Sequence, residues 1–105
     1  MSNEKEKLAA MVPLATCLYR TKQFRKSLFY LLMAFKNGLA FQLDCLFYLS
    51  VNCYELGEWH PFKRYYIKLL VLDSQKTYVG YIHQLLTKRH HANKYRRFIL
   101  QVEHS

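Results

Sequence analysis

The side chains best suited to hold a metal or attack a substrate are Cys17, Cys45 and Cys53 and the histidine group His83, His90 and His91. Neighbouring positions on a helix point about 100° apart, so His90 and His91 do not readily grip one ion. The cysteines are odd in number and lack a Cys-x-x-Cys spacing. Each falls on or beside an apolar face at helical periodicity, which predicts small core residues in a reducing compartment. No glycine-rich phosphate loop, Ser-His-Asp set or pair of carboxylates at one site can be assembled. The expectation is a protein that is not an enzyme and takes no metal and no cofactor.

A second kind of chemistry is electrostatic. The chain carries a net charge of +9. No acid occurs between Asp73 and Glu103, whereas Lys76, Lys88, Arg89, Lys94, Arg96 and Arg97 all do. Such charge suits an acidic partner: an anionic membrane surface, an acidic peptide or a nucleic acid. Beside a membrane, Lys88, Arg89, Lys94, Arg96 and Arg97 would form the membrane-proximal basic set, each worth about 1 kcal/mol close to anionic lipid. Interleaved His90, His91, Tyr95 and Phe98 also allow phosphate contacts and stacking. No recognised nucleic-acid motif accompanies them, so a basic RNA-binding helical domain ranks behind the other readings. A solvated basic face is the commonest fate of such a run.

These side chains need elements to position them. At 105 residues the chain makes one domain able to bury about 60–65% of its unfolded surface. It is 51% hydrophobic and 16% aromatic, with only three Gly and two Pro, so it reads as helices joined by short turns. Met1 is followed by Ser-Asn-Glu-Lys-Glu-Lys, neither a signal peptide nor an Arg-rich transit peptide. No window supplies the roughly 18–20 uncharged apolar residues of a membrane span. The expectation is a soluble intracellular chain.

The helical pattern occurs twice. Leu46, Leu49, Ser50 and Cys53 form a stripe before Gly57; Trp59, Phe62, Tyr65, Tyr66, Leu69, Leu70 and Leu72 form another after it. Displaced by 35 positions, Met11, Leu14, Ala15 and Leu18 precede Lys22, and Phe24, Ser27, Leu28, Leu31, Ala34 and Phe35 follow it. Tyr19 and Tyr54 stand just before the two corners, Phe24 and Trp59 two residues past them. A helical hairpin repeating at about 34 residues is the tetratricopeptide signature. Small residues at the helix crossings (Ala15, Ser27, Ala34, Ser50) permit close approach, and Trp59 is expected to be largely buried. A hairpin stack needs a cap, and Val79, Ile82, Leu85 and Leu86 make Thr77 to Thr87 that cap, with a further short helix over Lys94 to Glu103. Pro13 falls inside the first helix, unless that helix starts there with Pro in its first turn, and Pro61 falls in the first turn of the next hairpin's second helix. The reading is an all-α fold of five to six helices: a tetratricopeptide-like superhelix of two hairpins, repeat one about 8–38 and repeat two about 43–74, with a capping helix and basic tail about 76–105. An ordinary helical bundle is the alternative.

The stretch DCLFYLSVNCYELGEWHPFKRYYIKLL, followed by YVGYIHQLL, resembles the second repeat and capping helix of the mitochondrial fission 1 family. The shared features are an aromatic-Tyr-Leu, a Cys or Asn before Tyr, a Leu-x-Glu-aromatic corner and a Lys-Arg/Lys-Tyr. The likeness is specific from Asp44 to about Leu86 and weaker but collinear from Leu14 to Gly38, where CLYRTKQFRKSLFYLL matches a degenerate first repeat. It implies an adaptor on the cytosolic face of the mitochondrial, and often peroxisomal, outer membrane, recruiting a dynamin-related GTPase directly or through other adaptors. Family members carry an N-terminal arm, an extra first helix and a C-terminal membrane helix. Here only about seven residues precede Leu8, and Phe98-Ile99-Leu100 is too short to span. A soluble tetratricopeptide scaffold of another complex is the alternative.

In such an array the first helix of each hairpin lines the concave side. Ala9, Val12, Thr16 and Tyr19 of repeat one, and Asp44, Phe47, Val51 and Tyr54 of repeat two, are the expected partner groove. Phe47, Val51 and Tyr54 are expected as an exposed strip. Without the Lys, Asn and Arg that grip a terminal carboxylate, the groove suits an apolar helical or extended segment. Its occupant is a division partner, this chain's own terminus, or a second copy in a homodimer.

Overall fold

The computed structural model describes residues 2–89 and 93–103. The regular elements among them are all helical: α1 (Ser2–Arg20), α2 (Phe24–Ala34), α3 (Leu43–Leu56), α4 (Trp59–Leu72), α5 (Thr77–Thr87) and α6 (Asn93–Glu103), with Phe35–Leu39 following α2 as a turn that breaks at the non-helical Asn37 and Gly38. His90 and His91 lie outside the described residues.

Two corners set the architecture, and they are built alike. At the first, the Lys22 N–H donates to the Tyr19 carbonyl at 3.0 Å and the Gln23 N–H to the Leu18 carbonyl at 2.8 Å. At the second, Gly57 donates to Tyr54 at 3.1 Å and Glu58 to Cys53 at 2.8 Å. This is the Schellman closure of a helix, and it requires a left-handed residue at its apex. Gly57 takes φ 72° without strain; Lys22 takes φ 63° despite its Cβ. Every partner in the second corner lies 35 positions beyond its counterpart in the first.

The other end of the stack turns differently. Gly38 adopts φ 127°, open only to glycine, and the Asn37 side-chain amide donates to the Met33 carbonyl at 2.6 Å. Between α4 and α5, buried Asp73 accepts the Val79 N–H at 3.0 Å, capping the first turn of α5, while Lys76 takes φ 59°.

The helices pack in sequence. α1 lies on α2, α3 rests against both, and α5 rests against α3 and α4. Ser27 and Ala15 are fully buried where α1 and α2 cross, and the Ser27 hydroxyl donates to the Ala15 carbonyl at 2.7 Å. Phe62 and Leu69 are fully buried in the main core. Phe62 stacks on Tyr66 at 5.8 Å and meets Tyr95 of α6 edge-on at 4.8 Å. α6 is held over α4 by Tyr95, Phe98, Ile99 and Val102.

Pro13 lies inside α1, which begins at Ser2 and not at the proline; the preceding turns form regardless, and Pro13 removes the donor that would bond the Ala9 carbonyl. Two sequence expectations are corrected. Leu14, assigned to packing, is 45% exposed. Cys45 and Cys53 are buried but Cys17 is exposed. Trp59 is largely buried against the main core, as expected, with the Lys63 and Lys94 ammonium groups 5.1 and 4.6 Å from its ring centre.

Candidate partner-binding cleft

An open cleft of about 380 Å³ runs between the end of α1, the outer face of α3 and one side of α5. Its walls are Tyr19 and Arg20 from α1, Asp44, Phe47, Tyr48 and Val51 from α3, and Tyr78, Tyr81 and Leu85 from α5. Helical spacing on two elements creates it. Asp44, Phe47, Tyr48 and Val51 recur at three- and four-residue steps on α3, and Tyr78, Tyr81 and Leu85 do so on α5. The aromatic rings form a connected series: Tyr19 meets Tyr48 at 5.7 Å, Phe47 meets Tyr48 at 5.0 Å, and Phe47 meets Tyr78 and Tyr81 at 5.5 and 6.2 Å.

The cleft has an electrical direction. Arg20 lies at the end formed by the first corner, and Asp44 at the opposite end, in the first turn of α3. The Tyr78 hydroxyl donates to Asp44 Oδ1. That hydrogen bond, reinforced by burial, pushes the Tyr78 phenol up to about 12. Burial, with Glu55 nearby, raises Tyr19 to about 12 as well. Both remain neutral hydroxyls near neutral pH. The surface therefore offers apolar area with hydrogen-bonding tips, suited to binding a side chain rather than to acid–base chemistry.

The residues expected in the groove divide. Tyr19, Asp44, Phe47 and Val51 line the cleft. Val12 does not; it is 6% exposed in the core between α1 and its neighbours. Thr16 is half-buried and its hydroxyl donates back to the Val12 carbonyl at 2.9 Å. The expected exposed strip Phe47–Val51–Tyr54 is not one: Val51 is 1% exposed and forms the floor, and Tyr54 is 4% exposed in the core. Two later elements cover Tyr54, since Tyr95 lies edge-on at 4.8 Å and the Arg89 guanidinium lies 5.9 Å from its ring centre. Arg20, Tyr48, Tyr78, Tyr81 and Leu85 were not foreseen. Tyr78 and Tyr81 had a signal, a second stripe on the capping helix beside the stripe used for packing.

The basic set divides too. Arg89 pairs with Glu55 at 3.1 Å. Arg96 closes α5: its guanidinium donates to the Leu86 carbonyl at 2.7 Å, Thr87 at 3.2 Å and Arg89 at 3.1 Å. The Leu86 carbonyl also accepts the Arg89 N–H at 3.2 Å, and a cation at a helix C-terminus suits its dipole. Lys94 covers Trp59. Lys88 and Arg97 are exposed. As a single membrane-proximal patch the five are thus not equivalent, because Arg89 and Arg96 are committed to internal partners.

Among the described residues no three His, Cys, Asp or Glu side chains are grouped to hold a metal, and no helix is long and apolar enough to cross a membrane. No family model, curated protein or solved structure matches the chain.

Proposed function

We propose that this chain is a tetratricopeptide-like adaptor whose cleft between α1, α3 and α5 binds an apolar helical or extended segment of a partner protein. The half-exposed aromatic wall carries the reading. Tyr81 is 54% exposed on a floor of buried Val51, an arrangement that leaves apolar area for a guest side chain without weakening the core beneath it. The repeat reading is supported by the two matching corners and by the packing order, in which the first helix of each later hairpin rests against both helices of the one before. Following the sequence resemblance, the partner is the organelle-division machinery at the outer membrane of mitochondria or peroxisomes, a dynamin-related GTPase or one of its adaptors.

The experiment is calorimetry of the purified chain against a dynamin-related GTPase and its adaptors, with Tyr81→Ala and Phe47→Ala alongside. Binding that falls several-fold in both variants while their helicity persists supports the cleft. Unchanged affinity moves the site elsewhere, and no binding by the native chain removes the division machinery as partner.

A further inference from the structure

The three hairpin corners, at residues 21–23, 57–58 and 88–89, share one end of the stack. Contacts across the corners tie them together. Arg25 beyond the first reaches Glu58 of the second at 3.7 Å, and Arg89 of the third reaches Glu55 beside the second at 3.1 Å. Lys63 of α4 and Lys94 of α6 meet over Trp59.

The charge of the chain is gathered at that end. Residues 20–26 carry four Lys or Arg, residues 59–64 two, and residues 88–97 five, eleven of the sixteen in the chain. Only two of the seven acids, Glu55 and Glu58, lie there, and each is already paired with an arginine. Among residues whose side chains are described, the opposite end carries four lysines and four acids and is neutral. All nine net positive charges thus belong to the corner end. Six of its cations, Arg20, Lys22, Lys26, Arg64, Lys88 and Arg97, are exposed and have no ion pair among the described residues, and together they come from all three hairpins.

We propose that this end docks on an anionic lipid surface. Neighbouring packed helices stand about 8–10 Å apart, so the corners form a row of cations spread across the end of the stack, matched to many headgroups at once. Single-stranded nucleic acid would need free aromatic platforms, but Trp59, Tyr95 and Phe98 are packed against one another at 4.9 and 5.5 Å. None of the large exposed apolar residues stands in a corner turn: Phe41 follows α2, Val71 and Leu72 end α4, and Leu14, Phe29, Ile67 and Leu100 lie along the helices. Attachment is accordingly electrostatic, without insertion. The proposal depends on the adaptor reading only in placing the domain near a membrane; the cleft takes no part in it.

The test is co-sedimentation of the whole chain with vesicles of phosphatidylcholine, with and without about one third phosphatidylserine, a content at which surface cations gain about 1 kcal/mol or five-fold each. The native chain is expected on the anionic vesicles at low salt and off them in about 0.3 M salt. Changing Lys22 and Lys26 to Gln, or Lys88 and Arg97 to Gln, is expected to weaken binding at least ten-fold in either case. Changing Lys36 and Lys76 at the neutral end is expected to alter it less than about three-fold, by the same per-residue reasoning for cations held away from the surface. Tyr81→Ala is expected to bind vesicles as the native chain does, which separates failure of the cleft from failure of this surface. Equal losses from both ends, loss only through Lys88 and Arg97, or tight binding of duplex RNA without vesicle binding would each overturn the proposal.

Discussion

The Asn52 side-chain amide of α3 donates to the Ser27 hydroxyl of α2 at 2.9 Å, and Ser27 in turn donates to the Ala15 carbonyl of α1 at 2.7 Å. Three helices from two hairpins are joined by this buried relay, with the same Asn52 amide also bonding the Tyr48 carbonyl at 2.8 Å. Ser27→Ala is expected to cost about 1–2 kcal/mol in urea unfolding, because it leaves a buried amide with one partner fewer. Asn52→Ala is expected to cost about 1–3 kcal/mol. The double variant should lose less than the sum, since either change breaks the same link. Full additivity would show that the relay does not couple the hairpins.

The matched corners make an asymmetric prediction. Lys22 occupies the left-handed apex with a Cβ, at a cost of about 1–2 kcal/mol that glycine avoids. Lys22→Gly is expected to raise stability by about 0.5–1 kcal/mol after the greater entropy of unfolded glycine is included. Gly57→Ala is expected to lower it by about 1 kcal/mol. Nothing lies within 4 Å of a Cβ added at Gly57, so that loss reports backbone conformation and not crowding. Thermal midpoints moving in the same direction would contradict the shared geometry.

The helices and their order were legible because apolar spacing and the scarcity of Gly and Pro are local properties. The cleft was legible only in part. Periodicity placed Phe47 and Val51 beside one another on α3, but exposure depends on what another helix lays over them. Tyr54 is covered by Tyr95 and Arg89, more than thirty residues away in sequence, and a single-helix pattern does not contain that contact. The basic run misled for the same reason: a string of cations does not show that Arg96 faces the carbonyls ending α5. The matching corner aromatics place Trp59 against the core, but not the two lysines over its ring, which come from α4 and from α6.

Arg96 acts as the clasp between α5 and α6. Arg96→Ala is expected to remove the side-chain bonds to the Leu86, Thr87 and Arg89 carbonyls and to loosen α6, with faster amide exchange over 93–103 than over α3 or α4. Global stability should fall by about 1–3 kcal/mol, the range for charge-assisted bonds. Arg97→Ala, exposed on the same helix, is expected to leave exchange unchanged. Equal exchange in both variants would mean that the aromatic contacts alone hold α6.

Alkali is expected to destabilise the domain. Burial raises Cys45 to about 11 and Cys53 to about 12 from an ordinary 9.0, and Tyr19 and Tyr78 ionise near 12 against an ordinary 10.0. Between these values the unfolded chain has released protons that the folded chain retains. The stabilisation is therefore whole below about pH 9 and is lost as pH rises through about 12. At pH 8, a thiol reagent should label exposed Cys17 quickly and reach Cys45 and Cys53 only on unfolding. Rapid labelling of all three thiols in the native protein would contradict their burial.

The cleft allows fold and binding to be separated by depth. Val51 is 1% exposed and forms the floor, whereas Tyr81 is 54% exposed on the wall. Val51→Glu would bury a carboxylate without a partner and is expected to destabilise the domain by several kcal/mol, so any lost binding would not locate the site. Tyr81→Ala removes contact area that water already reaches, and is expected to change stability by less than about 0.5 kcal/mol. If a guest's apolar residues rest between Phe47 and Tyr81, that variant loses affinity by about ten-fold, through faster dissociation more than slower association. Tyr78→Phe adds direction to the same test. It frees Asp44 from its phenol donor, and is expected to strengthen a guest that brings a cation to that end of the cleft while leaving contacts beside Arg20 unchanged. Surface plasmon resonance on Tyr81→Ala and Tyr78→Phe, with circular dichroism for each, measures both effects; identical kinetics in the native chain and both variants would take the partner out of the cleft.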